Sequence, residues 1–392
     1  DVLRRVAAAA GQAEDRTVGI DAARAEWRRL LTDACAFLSR PHRHSSGTDH
    51  VAVLTPDDLI DAPARYETPL SVPFRGRTVF KADAWSQGPA LLEALRILEP
   101  LPDADLDPST LEGAHTVIEV LKLVLADRDA YFGEGADAGP LLSDAVIASR
   151  RAEIGDRASS RWRPATLPGA GPWEPPLRQE GASAAGTGEP TVDRTGATRG
   201  DTCHIDVVDR WGNIVSVTPS GGWLQSSPTI PSLGFCLGTR LQMCWLDDAS
   251  PAALRPGDRP RTTLSPTLVH DGTTRIAMGT PGGDQQDQWQ LPMLLRMLVG
   301  AYTAQQAIEA PTLHTAAMVD SFWPRTWDPI GLVAEERLDD AVLTGLAERG
   351  HRVTRAGEWS LGRLSAVGID RGTGILWGAA NPRGVQGYAA GR

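Results

Sequence analysis

The feature that most constrains this chain is an abrupt change of character near residue 200. Residues 156–200 are rich in Pro, Gly, Ala and Thr, which predicts an exposed, poorly ordered connector. Directly after it, the segments CHIDVVD (203–209) and IVSVTPS (214–220) alternate apolar and polar residues around a turn at Gly212-Asn213. This pattern predicts a β-hairpin. A connector of this length inside a compact domain is typically functional or disordered.

Apolar spacing along the rest of the chain predicts both helices and further hairpins. Helical periodicity is found at residues 85–101, 115–133, 141–154, 286–300, 303–310 and 338–349. Alternation around turn residues predicts hairpins at 72–83, 264–279 and 363–380. Hairpins that bury one face under helices are typical of an antiparallel sheet layered with helices. We therefore expect an α+β fold.

Composition and charge exclude several classes of partner. The chain has 392 residues and a net charge of -10, whereas nucleic acids and anionic membranes bind basic surfaces. Residues 1–16 predict an amphipathic helix without the apolar core of a secretion signal, so we expect a cytoplasmic protein. The four cysteines form no CxxC pair and are interpreted as free thiols. His204 and His314 stand without a close carboxylate or cysteine in sequence, so we interpret both as structural and expect no metal and no cofactor.

Thr202 is the residue whose position has the sharpest chemical consequence. A threonine at a chain terminus carries its own base, because an α-amine has a pKa of about 7.7–8.0 and activates the neighbouring hydroxyl. An internal threonine lacks this base, so the hypothesis requires cleavage between Asp201 and Thr202. Thr202 would attack the preceding carbonyl, and water would hydrolyse the resulting ester. The alternative interpretation is an exposed threonine that begins a strand.

Two further motifs are candidates for binding a reacting carbonyl or its substituents. GTPGGD (279–284) lies between a predicted strand and a predicted helix, and the N–H groups of Gly282 and Gly283 are suited to an oxyanion. Glycine is also used at such turns for steric reasons alone, and no Lys-Ser/Thr follows to make a phosphate loop. In RPRTTLSPT (259–267), Thr262 and Thr263 are candidate donors to a substrate. Local bonding to the backbone is the alternative.

The segment DTCHIDVVDRWGNIVSVTPS resembles the region around the nucleophile of gamma-glutamyltransferases. In that family a Thr-Thr-His run opens the small subunit. Thr202 falls on the nucleophile, Cys203 replaces the second Thr, and His204 is retained. In the mechanism that we expect, Thr218 and Ser220 on the adjacent strand are candidates to hydrogen-bond the terminal amine and hydroxyl.

The two other motifs are similar to the same family. RPRTTLSPT resembles its Arg-Pro-Leu-Ser-Ser-Met-Ser-Pro-Thr, so that Thr262 and Thr263 replace two substrate-binding serines. GTPGGD resembles its Gly-Ser-Pro-Gly-Gly, which implies that Gly282 and Gly283 form the oxyanion hole. The resemblance also extends back through TPDDLIDAPARYETPLSVPFRGRTVF and LLSDAVIASRR.

The resemblance implies a four-layer αββα sandwich of the N-terminal-nucleophile hydrolases, without the early N-terminal part of the family. It implies a division of the chain into three parts. Residues 1–155 would be the mostly helical C-terminal portion of a large subunit, residues 156–201 a flexible connector ending at the cleavage site, and residues 202–392 the small subunit. The two subunits would remain each other's partners after cleavage.

Departures from the family pattern concern the substrate. Met243 stands where a transferase has the acidic contact to the glutamyl amino group, and burying an unpaired ammonium is costly. Gly222 replaces an expected Asn, next to Trp223, and Arg240 replaces an expected Gln. Arg240 is either a bidentate carboxylate ligand or an exposed loop residue. We expect a small-molecule amide or carboxylate substrate other than glutathione.

These departures resemble the acylase-type branch of the family, which includes cephalosporin acylases and oxamate amidohydrolase. The first function implied is therefore an amidohydrolase that works through a threonine acyl-enzyme. One alternative is a carbon–carbon bond hydrolase that releases an oxalyl group in actinobacterial alkylproline antibiotic biosynthesis. The others are a true gamma-glutamyl transferase or glutathione hydrolase, and an unprocessed homologue without enzymatic activity.

Overall fold

The computed structural model describes residues 2–11, 16–43, 47–60, 65–179, 202–222, 227–383 and 387–391. Its helices are α1 (Val2–Gly11), α2 (Arg16–Leu38), α3 (Pro56–Ile60), α4 (Gly88–Leu98), α5 (Leu111–Tyr131), α6 (Asp144–Ala152), α7 (Gln286–Leu298), α8 (Ala304–Glu309) and α9 (Asp340–Glu348). Its strands are β1 (His42–Arg43), β2 (Asp49–His50), β3 (Leu70–Phe74), β4 (Arg77–Lys81), β5 (Ile205–Val208), β6 (Ile214–Val217), β7 (Thr267–His270), β8 (Thr274–Gly279), β9 (Leu313–Thr315), β10 (Gly331–Glu335), β11 (Arg352–Ala356), β12 (Ser365–Asp370) and β13 (Ile375–Ala380). The predicted helices and hairpins are confirmed, and the fold is α+β.

An antiparallel sheet of six strands organises the larger of two compact units, in the order β13-β12-β8-β7-β4-β3. Each predicted hairpin of this sheet forms in register: Val72 pairs with Val79, Val269 with Ile276, and β12 with β13. The turn of the first hairpin places Arg75 and Gly76 at φ 47° and 76°. A left-handed conformation at both positions is what a tight hairpin turn requires.

Both faces of the sheet are covered near its centre. Helices α4 and α7 contact the sheet, and the β5–β6 hairpin also contacts it, at β8 and β12. Residues 276–279 of β8 are all buried, although neighbouring strand residues point to opposite faces. Helices, six-stranded sheet and hairpin thus form three successive layers, in keeping with the αββα sandwich.

Helix α5 lies in the middle of the helical layer and is buried around its whole circumference. Every residue from Gly113 to Ala130 is buried, since α4 packs on one part of its surface and α9 on another. Thr110 caps its first turn by accepting a hydrogen bond from the Gly113 N–H at 3.1 Å. A helix in this position carries apolar residues on all sides, and its few charged residues must be paired.

A small sheet of three strands, in the order β11-β10-β9, was not predicted from the sequence. Strands β10 and β11 are parallel, and α9 lies between them along the chain. All five residues of β10 are buried. A strand buried on both faces loses the alternation that marks a half-exposed strand, so its sequence carried no period-2 pattern.

Residues 156–179 of the predicted connector have no helix or strand and more than half of them are exposed, but the segment is not loosely attached. The Tyr131 hydroxyl donates to the Ala165 carbonyl at 2.6 Å, and Arg150 Nη2 donates to the Arg163 carbonyl at 2.6 Å. This irregular segment is therefore fixed to α5 and α6 by hydrogen bonds that a sequence pattern does not reveal. Residues 180–201, including Asp201, lie outside the described part of the chain.

The smaller unit consists of residues up to Glu67 together with Gly221–Thr239. Its apolar cluster joins α2 to the loop that holds Ile230 and Leu233. The two compact units are defined by contacts in space. The three predicted parts of the chain, with bounds at residues 155 and 201, are defined by a cut in the backbone instead. The units do not test that cut, so the predicted subunits stay a prediction. Within the described ranges, no helix is both long and apolar enough to span a bilayer. The four cysteines are free thiols, as predicted.

Candidate active site

The face of the β5–β6 hairpin that meets the six-stranded sheet is polar, and its opposite face is apolar. Three hydrogen-bonded cross-strand pairs form this inner face, which we call the polar ladder: Thr202–Ser220, His204–Thr218 and Asp206–Ser216. The outer face carries exposed apolar side chains: Ile205, Val207, Val215 and Val217. The period-2 pattern in the sequence is thus real, and only the structure shows which face is buried.

Thr202 lies at the end of the ladder, just before β5. Its hydroxyl donates to the Ser220 hydroxyl at 2.9 Å, and the Cys203 N–H donates to the Pro219 carbonyl at 3.1 Å. The hairpin pairing therefore continues to Thr202, which is only partly buried. The expected contact between Ser220 and the Thr202 hydroxyl is present.

His204 has a carboxylate partner, contrary to the sequence interpretation. Its Nε2 lies 2.8 Å from Asp206 Oδ2 and its Nδ1 lies 2.8 Å from the Thr218 hydroxyl. Both side chains of the His–Asp pair are 1% exposed. The interpretation failed because residues two apart in a strand point to the same face, which brings Asp206 beside the imidazole.

The His204 ring lies flat against the backbone of Gly279 at the end of β8. A Cβ atom at position 279 would come within 2.3 Å of His204 Cε1. Any residue other than glycine would displace the imidazole. Gly279 is also the residue from which the chain enters the glycine loop, so the ladder and the loop meet at this point.

The glycine loop has a backbone that only glycine adopts readily. Gly282 and Gly283 have φ values of 129° and 58°, and a Cβ at Gly282 would lie 2.4 Å from Trp289. Their carbonyls accept hydrogen bonds from the Gln285 N–H (3.1 Å) and the Gln87 side chain (3.3 Å). The steric need for glycine is therefore real. The oxyanion role of their N–H groups, which open a short helix, stays a prediction.

Asp284, directly after the loop, is held by charges from another helix. It accepts hydrogen bonds from Arg128 of α5 and from the backbone and hydroxyl of Ser321. Burial raises the pKa of Asp284, but Arg128 and Ser321 outweigh burial, so the pKa lies below its usual value. Arg128 also binds Asp129 at 2.8 Å. We call Arg128, Asp129, Arg261, Asp284 and Asp320 the ionic network.

Two members of the ionic network have strongly shifted pKa values. Burial and the charge of Asp284 raise the pKa of Asp320 to about 7. Burial and the neighbouring Arg128 lower the pKa of Arg261 to about 10. Arg261 Nη2 donates to Ser321 Oγ at 3.0 Å. The sequence analysis did not identify this network, although charged residues inside the apolar pattern of α5 were its available signal.

Thr262 and Thr263 follow Arg261 and have different surroundings. The Thr262 hydroxyl accepts from the Leu264 N–H at 3.2 Å, and the Thr262 N–H donates to the Trp85 carbonyl at 2.9 Å. The Thr262 side chain therefore makes a local hydrogen bond to the backbone, which was the alternative to a role as substrate donor. The Thr263 hydroxyl is buried and has no hydrogen-bond partner among the described residues. A buried hydroxyl without a partner is costly, which makes Thr263 the better candidate donor.

Helix α7 supports this segment from behind with buried polar side chains. Lys81 Nζ lies 2.8 Å from Asp287 Oδ1 and donates to the Ser265 carbonyl at 2.9 Å. The Ser265 hydroxyl donates to the same Asp287 oxygen at 2.7 Å. The polar start of α7 is thus internal, and it fixes the strand entrance that carries the two threonines.

The residues expected to recognise the substrate are only partly brought together. Met243 is fully buried, with its Sδ 3.3 Å from Arg240 Nη1, and the half-buried Arg240 guanidinium lies 6.0 Å from the Phe322 ring. Arg240 is therefore not a freely exposed loop residue. Gly222 belongs to the smaller unit, where a Cβ would meet the Thr239 hydroxyl at 2.6 Å. Trp223 lies outside the described residues.

The described residues contain no group of three or more His, Cys, Asp or Glu side chains arranged to bind a metal ion. His314 is fully buried in the core, where its Nδ1 lies 3.3 Å from Trp289 Nε1. Burial lowers the pKa of His314 to about 3, so this imidazole is neutral. Its structural interpretation is consistent with these contacts.

Comparisons with known proteins place this site in context. Residues 44–391 match the model of the gamma-glutamyltranspeptidase family. The chain is 30% identical over 341 residues to a glutathione hydrolase-like proenzyme, YwrD, of Bacillus subtilis, covering 84% of this chain. It is 27% identical to the oxamate amidohydrolase proenzyme of Klebsiella pneumoniae, covering 86% of this chain and 58% of that protein.

A solved structure of LmbA2991 superimposes on the whole chain with a TM-score of 0.89 and 44% identity. The chain covers 67% of that structure. It spans 57% of the length of the Bacillus relative.

Proposed function

Because this chain belongs to the gamma-glutamyltranspeptidase family, we propose that it is a self-processing N-terminal-nucleophile amidohydrolase with Thr202 as the nucleophile. The observation that carries the proposal is the Thr202–Ser220 hydrogen bond at the end of the polar ladder. This bond fixes the partly buried hydroxyl of Thr202 against the side chain of Ser220, which follows the neighbouring strand. Thr202 is the first described residue after the connector. Relatives that are named as proenzymes support the processing step.

Self-processing consumes one water and transfers the proton of the Thr202 hydroxyl to the peptide nitrogen. The Thr202 hydroxyl adds to the carbonyl of Asp201, and the peptide nitrogen leaves as the new α-amine, so that an ester replaces the amide. Water hydrolyses this ester, which restores the hydroxyl and leaves a carboxylate on Asp201. The products would be residues 1–201 and 202–392.

The free amine then serves as the base in turnover. It takes the proton of the Thr202 hydroxyl as the oxygen attacks a substrate carbonyl, and it returns that proton to the leaving group. The Gly282 and Gly283 N–H groups would bind the oxyanion, a type of contact that contributes about 10²–10³ in rate. Water resolves the acyl-enzyme by the reverse sequence, with the amine again as base.

The substrate we propose is a small amide or carboxylate without a recognised ammonium group. The fully buried Met243 supplies no charge to bind an ammonium. The unpartnered hydroxyl of Thr263 offers a donor to a substrate oxygen. Oxamate, the substrate in the name of one relative, is a compound of this class.

A second candidate is hydrolysis of a carbon–carbon bond with release of an oxalyl group. The chain is 44% identical to LmbA2991, which exceeds its identity to the relatives named as hydrolases. The substrates of those hydrolases are therefore not the only guide to the substrate of this chain. The same attack by Thr202 on an activated carbonyl serves both reactions. Hydrolysis of oxamate releases ammonia together with oxalate and identifies the first reaction. Oxalate released without ammonia, from a substrate whose oxalyl group is bonded to carbon, identifies the second.

The test is to express wild-type protein, Thr202→Ala and Thr202→Ser. We expect two fragments from the 41.9 kDa chain, with Thr202 as the new N-terminus, in the wild type and at a reduced rate in Thr202→Ser. Thr202→Ala is expected to stay intact and to lose hydrolase activity. Cleavage of the Ala variant at the same bond would overturn the proposal. An intact, folded wild-type chain would favour an unprocessed homologue, and robust transfer from a glutathione analogue would favour a true glutathione hydrolase.

A further inference from the structure

We propose that Gln87 is a positioning residue of the glycine loop, which holds the Gly283 peptide in the orientation in which its N–H binds the oxyanion. This inference rests on the proposed function, since an oxyanion forms only when Thr202 attacks a carbonyl. Gln87 lies 196 residues before Gly283 in the chain, at the start of α4. It acts through the backbone of the loop, without contact to substrate.

The side chain of Gln87 is not used by its own helix. Gln87 is the N-cap residue of α4, a position at which a side chain commonly accepts a hydrogen bond from the first turn, yet it makes no such bond. The Ser86 hydroxyl accepts the Gly88 N–H instead, at 3.0 Å. Helix capping therefore does not explain this glutamine, although its side chain is almost completely buried.

The Gln87 amide is shared between a guanidinium and the glycine loop. Arg128 Nη1 donates to Gln87 Oε1 at 3.2 Å, and Gln87 Nε2 donates to the Gly283 carbonyl at 3.3 Å. A guanidinium only donates and a carbonyl only accepts, so these two partners fix which end of the amide faces which group. The buried amide is bonded at both ends and therefore has one orientation.

The same nitrogen of Arg128 reaches the loop by a second route. Arg128 Nη1 also donates to Asp284 Oδ1, in the residue that follows Gly283. Arg128, Gln87, Gly283 and Asp284 thus form a closed ring, which the peptide bond between Gly283 and Asp284 completes. The charge of Arg128 does not depend on Gln87, because Asp129 also binds the guanidinium at 2.8 Å.

Glycine residues need a hold of this kind more than other residues do. Gly283 has a φ of 58°, and glycine leaves such a conformation readily because it has no Cβ. The Gln285 N–H donates to the Gly282 carbonyl and the Gln286 N–H to the Gly283 carbonyl, but these bonds lie within the segment and move with it. Gln87 ties the Gly283 carbonyl to another helix. A donor that is fixed before the reaction needs no reorganisation when charge develops.

The experiment measures acylation of Thr202 by a β-lactone, followed by intact-mass spectrometry over a range of lactone concentrations. It yields the apparent dissociation constant of the lactone and the maximal acylation rate, which is referred to the cleaved fraction in the same spectra. The oxyanion exists in the transition state but not in the bound lactone. Gln87→Met should therefore lower the maximal rate by about 10-fold and leave the dissociation constant unchanged.

A second variant at the same position keeps the partner of Arg128. Gln87→Glu, measured at pH 8, retains an acceptor for the guanidinium but removes the donor to the Gly283 carbonyl. We expect its maximal rate to fall at least as much as that of Gln87→Met. This variant tests the role even if Gln87→Met folds poorly, since the buried guanidinium stays paired.

Gln288→Met is the matched control. Gln288 is a fully buried glutamine of α7 whose Nε2 donates to the Thr315 carbonyl at 3.2 Å and whose Oε1 accepts the Thr315 N–H at 2.8 Å. Its amide is thus also bonded at both ends, but to β9 instead of the glycine loop. The variant should lower the thermal unfolding temperature as Gln87→Met does and keep the wild-type acylation rate.

The possible failures are distinguishable. An unchanged maximal rate in both Gln87 variants, or an equal loss in Gln288→Met, would overturn the positioning role. Weaker lactone binding with an unchanged maximal rate would overturn it as well. A wild-type protein without a Thr202 terminus, or a lactone that labels another residue, would overturn the proposed function instead.

Discussion

The polar ladder is partly buried and the ionic network is almost entirely buried, and the two use charge in opposite ways. The ladder contains one carboxylate, Asp206, surrounded by neutral hydroxyls and an imidazole. The network gathers two guanidinium and three carboxyl groups around the residue that follows the glycine loop. One of its contacts joins Arg128 to Asp284 across 156 residues of chain.

The two sets of groups are suited to different tasks. Hydroxyls and an imidazole donate or accept according to their neighbours, so the ladder is suited to proton transfer at Thr202. A buried guanidinium stays charged and binds carboxylates in a fixed geometry. The ionic network is therefore suited to holding the backbone next to Gly282 and Gly283 in place.

The largest expected effect comes from removing the charge that the network depends on. Arg128→Met would leave Asp129 and Asp284 buried without their main partner, and such a loss costs about 3–5 kcal/mol. Urea unfolding measures it. Arg355→Met, at an ion pair with Asp340 in which the two side chains are 47% and 82% exposed, is the matched control and should cost at most about 1 kcal/mol. Equal losses in the two variants would contradict the role of the network.

A smaller effect is expected from the pH dependence of the network. The pKa of Asp320 is raised from 3.8 to about 7, so the native state binds this proton more tightly than the unfolded chain does. Its contribution to stability is full below about pH 4 and is lost as the pH rises through about 7. We expect stability to fall by on the order of 2 kcal/mol between pH 5 and pH 8.

Asp320→Asn tests this origin, because an amide does not titrate. Urea unfolding midpoints of this variant should vary less between pH 5 and pH 8 than those of the wild type. Asp340→Asn controls for the removal of one negative charge from the surface. If the unfolding midpoint of Asp320→Asn changed with pH as much as that of the wild type, the titrating group would be another residue. The pH dependence could then not be assigned to the ionic network.

The smallest effect is expected in the ladder itself. Ser216→Ala removes one of the donors to Asp206 but leaves His204 and Ser365 in place, so the free energy of unfolding should fall by only about 1 kcal/mol. Thermal unfolding of the processed protein measures this. If Ser216→Ala lowered the free energy of unfolding as much as Arg128→Met does, the ladder would depend on full pairing of its carboxylate as much as the ionic network does.

Much of the larger unit follows from local pattern. The β5–β6 and β7–β8 hairpins and helices α4 and α5 were predicted because alternation and helical spacing persist wherever an element has one exposed face or sufficient length. Strand β10 was missed because it is buried on both faces. The packing of residues 156–179 was missed because it depends on hydrogen bonds from Tyr131 and Arg150. These two side chains belong to helices outside the segment, so the pattern of the segment does not show them.

The candidate site divides in the same way. Thr202, Gly282 and Gly283 could be proposed as site residues because a motif places each within a few residues of its structural context. His204 was interpreted without Asp206, although the two lie in one strand. The ionic network was not found, since its members come from segments up to 192 residues apart (Arg128 to Asp320).

By itself the sequence determined the family and the hairpins, and it pointed to Thr202 as the proposed nucleophile, because these inferences depend on neighbours along the chain. Only the tertiary structure decided which face of the hairpin is buried, that the buried Thr263 hydroxyl has no partner among the described residues, and which charges lie next to the glycine loop. Hydrogen bonds and ion pairs act over about 3 Å in space, and a sequence does not record distances between segments that meet only after folding.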